Sequence, residues 1–240
     1  LVNRGKSIYC QPCVSPIWDT ALACQTLIET DRGNTAQIGQ ALDWLRERQL
    51  SDEPGDWRQA RPHLCGGGWA FQYSNYHYPD LDDTSIVAWA MQRAHPEKYR
   101  ESIDRASAWA AGMQSGNGGF GSFEVDNTQY YLNAIPFADH GALLDPPTAD
   151  VSARCIALLS IVDKEKYADN ITAAIRYIKS DQEADGSWYG RWGTNYIYGT
   201  WSVLTGLEVA GEHMGQEYIQ RAVNWLRHVQ NDDGGWGESN

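Results

Sequence analysis

Four stretches of the chain, 21–27, 85–91, 152–161 and 201–209, are apolar almost all round, whereas 41–49 and 222–230 keep Arg, Glu and Asp to one face. A helix apolar on every side is buried, and one with a single apolar stripe lies at the surface, so the pattern predicts two helical layers. Their order is set by two recurring phrases. In the first, an amphipathic helix ends at Gln and a short turn closes on Gly-x-aromatic: Gln49 with Gly55-Asp56-Trp57, Gln114 with Gly118-Gly119-Phe120, Gln182 with Gly186-Ser187-Trp188, and Gln230 with Gly234-Gly235-Trp236. These glutamines are 65, 68 and 48 residues apart. The second phrase is a helix start: Trp18-Asp19-Thr20-Ala21, Asp82-Asp83-Thr84-Ser85, Ala149-Asp150-Val151-Ser152 and Tyr198-Gly199-Thr200-Trp201, spaced by 64, 67 and 49.

Two series with matching increments describe a repeat of two helices, one ending at Gln and one beginning near Asp-Thr. Inner helices packed in parallel within an outer ring make an all-α fold, an α/α barrel. Their N-termini then gather at one mouth, with Trp18, Asp82, Ala149 and Tyr198 as equivalent neighbours. The Gln amides are expected to cap free carbonyls at the outer helices' C-termini, and the tryptophans to staple one repeat to the next.

Asp80-Leu81-Asp82-Asp83-Thr84 places three carboxylates at the start of an apolar helix. Crowded and desolvated, they cannot all ionise, so at least one is pushed toward the protonated form. One Asp is needed as an N-cap, which favours its anion. The expected division makes Asp83 and Asp80 the supports and leaves the proton on Asp82, facing the cavity. Ser85, Ile86 and Val87 stand one turn beyond, so the carboxylate pair that would share Mg2+ is missing. Paired carboxylates on such a barrel also hydrolyse sugars, but no second acid is well placed as base or nucleophile. Protonation of an alkene fits better, because aromatic faces stabilise a carbocation without trapping it.

Composition adds to this. With 11 Trp and 13 Tyr against 4 Phe, the 240-residue chain has more amphipathic rings than its core needs, so some should line a cavity. A net charge of -12 with no basic patch argues against nucleic acid and leaves any membrane contact to apolar surface. No run of 18 apolar residues is present. The five cysteines read as reduced thiols, and Cys10-Gln11-Pro12-Cys13 lacks the second pair that a zinc site needs, so no metal is expected. With no initiator Met and no signal peptide, residues 1–240 read as one partial domain of a longer protein.

The chain resembles the squalene-hopene cyclases. The resemblance rests on Ser15-Pro16-Ile17-Trp18-Asp19-Thr20, Gly67-Gly68-Trp69-Ala70-Phe71, the 80–84 acid motif, Asp145-Pro146-Pro147, and Asp185-Gly186-Ser187-Trp188-Tyr189-Gly190-Arg191-Trp192-Gly193 with Asn195-Tyr196-Ile197-Tyr198-Gly199-Thr200 after it. It implies a cofactor-free isomerase of two α/α barrels that cyclises squalene to hopene and hopanol. Such an enzyme is monotopic in one leaflet, at the cytoplasmic face of the bacterial inner membrane, with a homodimer as one expected assembly. The family pattern makes Asp82 the proton donor, tuned by Asp80 and Asp83. It puts Trp18, Phe71, Phe123, Phe137, Trp192 and Tyr198 at cavity or entrance positions, with Asp19, Asp145 and Asp150 supporting. Arg154 stands where some members have a His hydrogen-bonded to the acid, and Phe123 where some have Tyr. A cation near Asp82 makes it a stronger acid at the risk of ionising it, so a water between Arg154 and Asp82 is expected in place of direct pairing. Oxidosqualene cyclases differ at the acid, with a single Asp followed by Cys. Other triterpene or sesquarterpene cyclases, an α/α-barrel glycosidase and a lipid-binding module are the alternatives.

Overall fold

A computed structural model describes residues 2–3, 5, 8–9, 14–31, 35–51, 54–135 and 144–238. Cys10, Cys13 and Phe137 lie outside them. A two-stranded ribbon, β1 (Val2–Asn3) with β2 (Ile8–Tyr9), precedes α1 (Pro16–Glu29). Ser15 caps α1 by accepting the Trp18 N–H at 2.8 Å, and Pro16 supplies the fixed φ that favours a first helical position. Next come α2 (Thr35–Arg46), the four-residue α3 (Trp57–Ala60), and a ribbon of β3 (Trp69–Ala70) antiparallel to β4 (Pro79–Asp80). That ribbon delivers the chain into α4 (Leu81–Ala94), followed by α5 (Arg100–Gly112), α6 (Ala149–Asp163), α7 (Ala168–Ser180), α8 (Asn195–Val209) and α9 (Glu217–His228).

The inner row runs α1, α4, α6, α8, and each inner helix packs against the outer helix that follows it, α2, α5, α7 or α9. Burial follows the apolar pattern most closely in the middle of the row, where 81–91 and 149–159 are buried throughout. The flanking inner helices depart from the expectation of full burial. Leu27 of α1 is 39% exposed and Trp201 of α8 is 55% exposed.

The glutamines act between repeats, and not on their own helix ends. The Nε2 of the first three donates to a glycine carbonyl of the turn and to a carbonyl in the first turn of the next outer helix: Gln49 to Gly67 and Ser102, Gln114 to Gly118 and Asn170, Gln182 to Gly186 and Tyr218, while Gln230 donates to Gly234. The indoles of Trp69, Trp188 and Trp236 donate to Leu45, Ile178 and Leu226, which fixes each turn on its own outer helix. The turn of the first copy is therefore Gly67-Gly68-Trp69, and Gly55-Asp56-Trp57 is not part of the series. Trp57 instead buries its ring edge-on against Trp109, 6.0 Å between centroids.

A second correction concerns register. The N–H of Trp69, Phe120 and Trp188 donates to Thr84, Ser152 and Thr200, so these three hydroxyls are equivalent. Counting back two positions pairs Asp82 with Asp150 and Tyr198, not with Ala149. The sequence alignment was one residue out in the third copy because Val151 occupies the place of the acid that follows Asp82.

Candidate active site

The N-terminal turns of the inner helices bring the acid cluster and its neighbours together. Asp80 is the N-cap of α4, its Oδ1 accepting the Asp82 N–H at 2.7 Å. Asp80, Asp82 and Asp83 are all buried, and Asp83 Oδ1 has no hydrogen-bond partner among the described residues. Burial raises the Asp80 carboxyl well above its usual value, and the charges of Asp83 and Asp82 add to it, outweighing the cap bond. Capping therefore does not make Asp80 the anion of the cluster. The expectation failed because desolvation at a buried cap exceeds one hydrogen bond. Asp83 is raised well above its usual value in the same way, by burial and then by Asp82.

Asp82 differs because a cation reaches it. Arg154, the sixth residue of α6, donates Nη1 to both carboxylate oxygens at 2.9 and 2.8 Å, so the contact is direct and needs no bridging water. Burial still raises Asp82, with Arg154 pulling against it. Burial thus pushes all three carboxyls toward the protonated form, and Arg154 opposes it at Asp82, which it contacts directly. The guanidinium's other nitrogen, Nη2, donates to Tyr198 at 2.6 Å and Ser202 at 3.1 Å on α8. Its carbon lies 5.3 Å from the Trp18 ring and 5.2 Å from the Tyr198 ring, so a cation and two aromatic faces share one pocket. Burial lowers the Arg154 pKa, but Asp82, Tyr198 and Asp150 outweigh it and the net shift is upward.

Three further carboxylates act around the cluster. Asp145 collects the N–H groups of Ser122, Phe123 and Glu124 at 3.0, 2.6 and 2.8 Å, shaping the loop that carries Phe123. Asp150 accepts from Thr148 at 2.6 Å and from the Arg191 N–H at 3.0 Å, which seats the loop carrying Trp192. Asp19, also expected as a support, is exposed on α1, where its N–H donates to the Ser15 carbonyl at 3.1 Å; its side chain acts on Asp83 through its charge. The Phe123 and Trp192 rings meet edge to face at 5.9 Å. Phe71 is half-buried, and its carbonyl accepts the Ser15 hydroxyl at 2.6 Å, tying the 69–80 ribbon to the start of α1.

A cleft of about 500 Å3 runs along the inner helices, walled by Trp18, Leu22, Ile86, Trp89, Tyr198 and Trp201. Arg154 lines it, and through that side chain the cleft adjoins Asp82. Several contributors carry no chemical signature in the sequence. Ser202 holds Arg154, and a β-carbon at Gly190 or Gly193 would overlap the Tyr198 ring. Glu238 caps α8 by accepting the Asn195, Tyr196 and Ile197 N–H groups at 2.6, 3.1 and 3.0 Å. An acid directly after the last Gly-Trp-Gly turn was the only clue to it.

Comparison with known proteins agrees with this geometry. The family description "Squalene-hopene cyclase C-terminal domain" matches residues 14–240. The chain is 51% identical over 244 residues to a probable squalene–hopene cyclase of Sinorhizobium fredii, covering 99% of this chain and 38% of that protein. It is 52% identical over 241 residues to the squalene–hopene cyclase of Zymomonas mobilis, covering 98% of this chain and 36% of that protein. The chain thus spans little more than a third of these relatives. Among solved structures, the type II terpene cyclase MstE from Scytonema superposes with a TM-score of 0.60 at 22% identity, over 93% of this chain and 56% of that one. The ent-copalyl diphosphate synthase from Streptomyces platensis gives 0.63 at 19% identity, over 93% and 36%. At those identities the likeness concerns the fold, the α/α toroid expected from the repeats.

Proposed function

Because the chain belongs to the squalene-hopene cyclase C-terminal domain family, we propose that it is the acid-bearing barrel of an isomerase that cyclises squalene to hopene and hopanol. The observation that carries this reading is a buried group of three carboxylates served by one guanidinium, with aromatic rings around it. Asp82, which burial pushes toward its protonated form against the pull of Arg154, gives its proton to a terminal alkene carbon. The C=C pair forms the new C–H bond, a tertiary cation appears at the neighbouring carbon, and the carboxylate left on Asp82 is stabilised by Arg154. Asp80 and Asp83 stay neutral, so the new anion is not repelled by its neighbours. Successive alkenes then close rings until the last cation either loses a proton, giving hopene, or takes up water that then loses a proton, giving hopanol.

The rings supply the walls. Trp18 and Tyr198 already face a cation at 5.3 and 5.2 Å, and Phe123 and Trp192 form an edge-to-face pair beside the acid helix. Squalene is too apolar to travel through water, so the reading includes delivery from one leaflet at the cytoplasmic face of the inner membrane. No helix among the described residues is long and apolar enough to cross a membrane; the reading has the complete enzyme attached through apolar surface to that leaflet. Tyr130 and Tyr131, 60% and 71% exposed, are candidate interfacial anchors. The test is the complete cyclase in detergent with squalene, its products identified by mass spectrometry. Pentacyclic products from the wild type support the reading. Squalene binding without turnover would instead mark a lipid-binding module.

A further inference from the structure

Ser122 is fully buried at a point where three parts of the mouth meet. Its N–H donates to Asp145 at 3.0 Å, its carbonyl accepts the N–H of Leu81, the first residue of the acid helix, at 2.8 Å, and its hydroxyl accepts the Trp192 indole N–H at 2.5 Å. Trp192 itself is 51% exposed, on a segment between α7 and α8. A half-exposed ring keeps one orientation only if something fixes it. Here the Ser122 hydroxyl fixes the indole at its nitrogen and the Phe123 ring supports it edge-on.

We propose that Ser122 is a positioning residue that sets the plane of the Trp192 wall relative to the acid helix, and so decides how closely the folded polyene is held. The proposal rests on the cyclase reading for its effect on catalysis, but not for the anchor itself. Ser122→Ala removes the hydroxyl and keeps both backbone bonds, so the acid helix should be undisturbed. Trp192→Phe removes the N–H and keeps an aromatic face.

The experiment uses the complete cyclase labelled with 5-fluorotryptophan, the Trp192 19F resonance being the one absent from Trp192→Phe. Ser122→Ala should move or broaden that resonance. It should raise KM for squalene roughly two- to tenfold, the worth of one neutral hydrogen bond, while kcat stays within about twofold. Incompletely cyclised products should increase. Ser122→Thr, which keeps a hydroxyl, should restore the resonance and KM, and Ser122→Ala combined with Trp192→Phe should be no worse than Trp192→Phe alone. A wild-type resonance and KM in Ser122→Ala, or additive effects in the double variant, would overturn the proposal. A shifted resonance in a protein that never turns over squalene supports the anchor and overturns the cyclase reading.

Discussion

The two ends of α4 carry the same kind of contact under opposite conditions. At the N-terminal end Arg154 meets Asp82 at 2.8 Å, with both side chains 7% exposed. At the C-terminal end Arg93 meets Glu29 of α1 at 2.9 Å, with side chains 51% and 46% exposed. Distance does not separate them, and solvent does. At the exposed end water and salt screen the pair, and neither partner is in danger if the other leaves. At the buried end both charges have been taken out of water, and two more carboxyls, Asp80 and Asp83, crowd the same turn. At the mouth, burial and Arg154 act together on the proton affinity of Asp82.

The largest effect should come from the acid itself. Asp82→Asn in the complete cyclase is expected to lower turnover by about 10²–10⁴-fold, the usual worth of a positioned general acid, with squalene still bound. Arg93→Ala at the other end should leave turnover unchanged. Product analysis and a binding titration on both variants check this; equal losses would erase the distinction between the ends.

Removing a cation sharpens it further. Arg154→Ala leaves Asp82 buried without its partner and strips Tyr198 and Ser202 of theirs. The expected cost is about 3–5 kcal/mol in urea unfolding, with slower cyclisation of squalene that still binds. A loss under about 1 kcal/mol would mean that Arg154 does not hold Asp82, Tyr198 and Ser202 together.

Next comes the pH dependence. Asp83 keeps its proton in the folded state to a higher pH than in the unfolded state, because burial and Asp82 raise it. Below the ordinary carboxylate range both states hold the proton and nothing is lost. As pH rises from there, the unfolded chain releases its proton first, so folding stability declines until the folded-state value is passed. Asp83→Asn removes that decline. Thermal unfolding should show the variant equal to wild type near pH 4 and higher in Tm by about 2–4 °C near pH 8. A variant that loses stability at pH 8 would show Asp83 to be a needed anion.

How far these residues were readable depended on whether the signal was local. The glutamine series was legible because each Gln repeats with its own turn, and the apolar helices because burial writes itself into composition. Gln49 was matched to the wrong turn because residues 50–66 separate it from Gly67, and a nearer Gly-x-Trp lay within that insertion. The three-Asp motif announced an acid, but not which carboxyl holds protons, because that depends on Arg154, 72 positions away. Trp18 and Tyr198 line the cleft, whereas Phe123 and Trp192 pair with each other and are not part of its lining. What was missed, Ser122, Ser202 and Glu238, are ordinary residue types whose role exists only through partners distant in sequence.

The smallest expected effect belongs to the exposed end of α4, and it decides whether burial is the right variable. Arg93 offers Nε and Nη2 to the two oxygens of Glu29 at 2.9 and 3.2 Å, a forked geometry. If geometry ruled, breaking it would cost as much as breaking the Arg154 pair. Solvent should reduce it to roughly 0.2–1 kcal/mol, a fall in Tm of about 1–3 °C. Arg93→Ala, Glu29→Ala and the double variant, unfolded by heat at low salt, should show the pair's coupling as the shortfall from additivity. That coupling should fade in about 1 M NaCl, where screening acts over roughly 3 Å. The Arg154 pair, closed off from ions, should keep its coupling with Asp82 in the same salt. Coupling at Arg93 that survived salt would place the two ends on equal terms, and the acidity of the mouth would then need a cause other than its dryness.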